Sequence, residues 1–147
     1  MTPTEIESAV LDAFQYLMTD FGFSYQSTSM HAPECWSTFW NTTTAVTIHY
    51  ELGSPPWVEL AELVRDSSRV IERNRTSLEF LLTERAPEEA GIPAGRSDEV
   101  DVKHVIYEKA RLLRQYGQDV LGGDFRIFPR LKELASENLQ RREEAER

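Results

Sequence analysis

Between Trp36 and Val64, aromatic and β-branched residues alternate with polar ones, and no other feature constrains the fold of this chain as strongly. Trp36, Thr38 and Trp40 share one parity. Val46, Ile48, Tyr50 and Leu52 recur at every second position, as do Val58, Leu60 and Val64. A period of two means half-buried strands, one face turned to a core and the other presented outward. Asn41-Thr42-Thr43 and Gly53-Ser54-Pro55-Pro56 interrupt the pattern as turns, which predicts strands over 36–41, 44–52 and 57–64. A weaker candidate, 23–31, precedes them, with the low apolar content of an edge strand. Pro33 restrains Ala32 to an extended conformation and makes 31–34 the connecting turn. Such short connections favour neighbouring antiparallel pairing, hence a four-stranded meander.

Helical signals flank the strands. Thr2, Pro3 and Glu5 have the spacing of a capping box with proline at the first helical position. Ile6, Val10, Ala13, Phe14, Leu17, Met18 and Phe21 then form one apolar stripe, and Gly22 supplies a stop. Arg65 to Arg75 is polar and basic and is assigned to no element. A short helix built on Leu78, Leu81 and Leu82 runs to Arg85, and Pro87, Gly91, Pro93 and Gly95 mark a loop over 86–97. Val102, Val105, Ile106, Leu112, Leu113, Tyr116 and Val120 predict a long helix over 98–121, ended by Gly122-Gly123. Asp124 is placed to cap a last helix from Phe125 onward, and its charged end, 140–147, is expected to fray. One helix, four strands and then two or three helices indicate a single α+β domain over 1–147, with helices packed on one face of an antiparallel sheet.

Composition narrows the function classes. The 147 residues suffice for one core without disulfides or metals, and the lone Cys35 has no internal partner, which points to a reducing, cytoplasmic location. The N-terminus is acidic where a signal peptide carries lysines, and no run approaches the roughly 18 apolar residues of a membrane span. With 25 acids against 16 bases the net charge is −9, which repels phosphate backbones and favours encounter with a basic protein.

No catalytic or metal motif emerges. His31, His49 and His104 stand at no diagnostic distance from Cys35, and spacing does not make His31, Glu34, Cys35 and His49 a ligand set. Gly122-Gly123-Asp124 lacks the spaced glycines and lysine of a phosphate loop. Glu62 is the most unusual carboxylate, since alternation places it among Val58, Leu60 and Val64, within reach of an arginine. No cofactor is implied. What remains is aromatic: Trp36 and Trp40 share one strand face, Trp57 shares its face with Glu59, and His49 lies opposite the apolar face of its strand. With helices on one side of the sheet, these four residues are candidate anchors for a protein partner.

The helical segment YEKARLLRQYGQDVLGGDFRIFPRL at 107–131, together with Phe21-Gly22-Phe23 and the strand VTIHYE at 46–51, resembles a family of small uncharacterised bacterial α+β proteins. Some of these are associated with immunity or antitoxin roles in competition between bacteria. The resemblance implies the fold derived above and carries no catalytic residue. The expectation is a non-enzymatic, cytoplasmic protein that occludes another protein, a basic toxin in its most specific form, through Trp36, Trp40, His49 and Trp57. Two readings stand beside it. One is a small enzyme or ligand-binding domain with a pocket between the sheet and the C-terminal helices, furnished by Cys35, His49, Tyr50 and Glu62. The other is a homodimer joined through the sheet edge or its exposed face.

Overall fold

A computed structural model describes residues 2–31, 34–51, 54–90 and 101–146, with backbone alone for 28–31. The predicted turn at Ala32-Pro33, Leu52 and Gly53, most of the 86–97 loop, the start of the long helix at 98 and the His31 side chain lie outside the described residues. Five strands form one antiparallel meander in sequence order: β1 (Ser24–His31), β2 (Glu34–Trp40), β3 (Thr44–Glu51), β4 (Trp57–Asp66) and β5 (Arg69–Ser77). The helices are α1 (Pro3–Ala13), α2 (Gln15–Asp20), α3 (Leu78–Arg85), α4 (Val102–Tyr116), α5 (Gln118–Leu121) and α6 (Phe128–Ala145), with one 3-10 turn at Pro87–Glu89.

The fold is α+β as predicted, but the meander has five strands rather than four. β5 carries little apolar signal because it is an edge strand with most of its side chains at the surface. Its hairpin with β4 turns on Ser67-Ser68, where Ser67 adopts φ +58° without the glycine or asparagine that marks such turns in a sequence. Helix bounds also differ. The N-terminal helix breaks at Phe14, and the long helix breaks at Gly117, where a Cβ would come within 2.8 Å of Leu113 Cδ1. Asp124 does not cap the last helix. Its carboxylate accepts from the Arg126 amide instead, and α6 begins at Phe128 with Pro129 in its first turn. The end expected to fray is helical to Ala145, with every residue from Ser136 to Glu146 exposed.

Among the described residues, the core between helices and sheet lies on one face of the sheet. Cys35 and Phe39 of β2, Val46, Ile48 and Tyr50 of β3, and Val58 and Leu60 of β4 are buried with Ile6, Val10, Phe14, Leu78, Leu81, Ile106, Leu113 and Leu131. At the C-terminal end of α2 and of α5, the helix layer is pinned to the sheet by Asn41. Its Nδ2 donates to the carbonyls of Phe21 (3.2 Å) and Leu121 (2.9 Å), while its Oδ1 accepts from the amides of Thr43 (2.9 Å) and Thr44 (2.7 Å). Thr44 Oγ1 donates to Val120 O at 2.8 Å, and Gly123, at φ +94°, leaves room for Thr43 where a Cβ would collide with it. One side chain therefore closes the β2–β3 turn and ends two helices. Asn41→Ala strands these partners at a half-buried position and is expected to cost about 2–3 kcal/mol, read as a lower urea midpoint at unchanged m-value.

Lys109 of α4 is 4% exposed and pairs with Glu79 of α3. Burial brings the ammonium down to about 8. Between that value and the ordinary 10.5 the unfolded chain holds a proton that the native protein has released, so raising the pH through this window favours the native state. Urea unfolding near neutral pH and at about pH 10 is expected to show wild type gaining stability relative to Lys109→Met, which lacks the titrating group.

Candidate recognition groove

The face of the sheet turned away from the helices carries the side chains that alternate with the core. The register sets Trp36 of β2 opposite His49 of β3, and His49 opposite Trp57 of β4. Directly opposed residues stand close enough for their rings to touch, and here they stack. Trp36 and His49 have centroids 6.3 Å apart at 30°, and His49 and Trp57 are 4.9 Å apart at 4°. The result is an upright wall of three rings across three strands. Two residues along, Thr38 and Thr47 form a low floor with their hydroxyls 3.5 Å apart. Two further, Trp40 rises beside Ala45, which in turn faces Ala61. Ala45, Thr47 and Ala61 are buried although no described helix covers them, because the tall rings shade the short side chains between them.

The long sides are closed by the edge strands, Gln26 and Ser27 from β1 and Val70, Glu72 and Arg75 from β5, and the enclosed groove measures about 910 Å³. β5 reaches it through a bulge. Three β4 residues, Leu60 to Glu62, face four on β5, Thr76 to Arg73, and Asn74 takes up the excess at φ +57°. In a regular strand Glu72 and Arg75 would point to opposite faces. The bulge returns both to the groove, where they pair with each other.

Glu59 is the electrostatic centre. Trp57 Nε1 donates to its Oε1 at 3.3 Å, Arg75 Nη1 donates to its Oε2 at 2.9 Å, and His49 Nε2 lies 3.5 Å from Oε2. The imidazole is near enough to stabilise the anion but too poorly aligned for a full hydrogen bond. His49 first, then Trp57 and Arg75, hold the Glu59 carboxyl below the usual carboxylate range against the opposing effect of burial. Trp40 Nε1 is buried without an acceptor, an omission worth about 1–3 kcal/mol and a sign that this wall is not packed for stability alone.

The structure thus gathers Trp36, Trp40, His49 and Trp57 around one groove. Of the other predicted set, Cys35, His49 and Tyr50 also border this groove and Glu62 does not. Cys35 and Tyr50 are buried in the core, where burial pushes the Cys35 thiol up. Glu62 lies farther along β4, paired with Arg73 at 3.6 Å and accepting from Asn74 Nδ2. The cavity expected between the sheet and the C-terminal helices is filled by apolar side chains, and the groove lies on the other face. Among the described residues no group of three His, Cys, Asp or Glu side chains could hold a metal, and no helix is long and apolar enough to cross a membrane. Glu72, Arg75 and the bulge were missed by sequence reasoning, which placed Glu59 on the Trp57 face without giving it a role. An arginine and a glutamate three apart carry no strand signal unless the bulge between them is known.

Because the native carboxyl of Glu59 is depressed, its contribution to stability is present above the unfolded carboxylate value and is lost as the pH falls through the native one. Glu59→Gln is expected to lose about 1 kcal/mol at neutral pH, with the difference from wild type closing in acid, as measured by urea unfolding. Compared with known proteins, the chain matches no family model, no curated protein and no solved structure.

Proposed function

We propose that this chain is a non-enzymatic binding protein that recognises another protein through the open face of its sheet. The observation that carries the reading is the Trp36–His49–Trp57 stack, standing with Trp40 around a groove on the face that the helices leave bare. Aromatic side chains pre-ordered in this way supply contact area at little further entropic cost, and tryptophan is prominent among the residues that dominate protein interfaces. The most specific form is an immunity or antitoxin role in the cytoplasm of a bacterium, in which the protein occludes a basic toxin. The net charge of −9 supports it, as does the resemblance of 107–131 to small uncharacterised bacterial α+β proteins, some of which are associated with immunity. A groove of about 910 Å³ also falls within the size range of small-molecule sites, which favours a small ligand as the second reading.

A photo-crosslinking residue at Thr38, in the groove, and another at Leu139, exposed on α6, separate these readings in the native host. A protein captured from position 38 and not from 139 is the expected result. Against that purified protein, Trp40→Ala and Trp57→Ala are each expected to lose about 2 kcal/mol or more by calorimetry. Unchanged affinity in both variants would remove the groove as the interface. Capture of no protein, with a small molecule co-purifying, would move the function to the second reading.

A further inference from the structure

We propose that the groove is a receptor for an arginine side chain presented by a protein partner, and that Arg75 holds that place in the unbound chain. The inference rests on the reading of the open face as a protein-binding surface and names the chemistry it selects. Three carboxylates, Glu34, Glu59 and Glu72, stand in or against the groove with one guanidinium, Arg75. The rings around them present electron-rich faces that attract cations.

Arg75 shows what the pair of carboxylates is shaped to hold. Its two terminal nitrogens reach different partners, Nη1 to Glu59 on β4 and Nη2 to Glu72 on its own strand. A forked, planar cation meets two such acceptors at once, whereas an ammonium serves as a single point charge. The carboxylates are the sheltered part of this arrangement, each with a side chain 21% exposed, whereas the Arg75 side chain is 47% exposed and comes from the sheet edge. Glu59 is further fixed by Trp57 Nε1 and faces His49, so it keeps its position without Arg75. An incoming guanidinium therefore meets two pre-oriented acceptors and displaces a solvent-facing side chain of the same chemistry. The remaining trough, from the ring wall across Thr38 and Thr47 to Trp40, accommodates the residues flanking that arginine.

The test uses a capped tetra-arginine peptide, with tetra-lysine and tetra-glutamate for comparison. Binding is read by tryptophan fluorescence, since all three tryptophans of the chain line the groove. Removing the resident guanidinium in Arg75→Ala is expected to tighten tetra-arginine binding by about tenfold over wild type, with tetra-lysine gaining less. Adding Glu59→Gln and Glu72→Gln to Arg75→Ala is expected to abolish the gain. Circular dichroism confirms each fold, and Arg75→Gln serves as the replacement if Arg75→Ala is unstable. Weaker or unchanged tetra-arginine binding in the Arg75 variant overturns the proposal. So does tetra-glutamate binding that depends on Arg75, which would make it an anion site. If neither protein binds tetra-arginine while position 38 still crosslinks a protein, the arginine receptor falls and the protein-binding reading stands.

Discussion

The connection between the two layers of this protein depends heavily on the carboxamide of Asn41. A sheet covered on one face leaves its turns and the ends of its covering helices with backbone groups that need partners. Asn41 answers both demands at once. Its oxygen closes the turn between β2 and β3, and its nitrogen takes the carbonyls left open at Phe21 and Leu121. Thr44 repeats the tie to Val120, and Gly123 lets the chain pass close to Thr43. These contacts fix the end of β2 and the start of β3, the strands on which Trp40 and Ala45 stand. The groove inherits its geometry from the layer beneath it.

One-sided coverage also explains how an uncovered face can still bury residues. Tall side chains at Trp36, His49, Trp57 and Trp40 alternate with short ones at Thr38, Thr47, Ala45 and Ala61, so the rings hide the floor but not each other's edges. This relief follows from cross-strand register rather than from a lid or a second sheet. A trough built this way is already formed before any partner arrives, which keeps the ordering cost of binding low.

Much of this was legible in the sequence wherever side-chain size or polarity alternated. The period of two put Trp36 and Trp40 on one face of β2, Trp57 beside Glu59 and His49 opposite the apolar face of β3, though not which face the helices cover, and the cap at Thr2 accepts from the Glu5 amide as its spacing predicts. Legibility ended where conformation was set by something other than pattern. β5 has no apolar stripe because its edge position buries little. Its hairpin turns on two serines rather than on glycine. The breaks at Phe14 and Gly117 fall inside continuous apolar stripes that give no sign of them. Glu59 and Arg75 meet across strands, sixteen residues apart in the chain, and the pairing of Arg75 with Glu72 depends on the bulge between Arg73 and Thr76.

That bulge has a consequence for the sign of the groove's charge. Asn74, in the left-handed conformation, absorbs the one residue by which β5 exceeds its partner. Were β5 to run in strict alternation from Ser77, every side chain before Asn74 would change sides. Glu72 and Val70 would turn towards the helices, and Arg73, Ile71 and Arg69 would take their places. The same amino acids would then line a basic trough in place of an acidic one. The electrostatic character of this surface is thus held by a backbone angle as much as by composition, and a sequence aligned residue by residue to this one could share all its charges yet attract partners of the opposite kind.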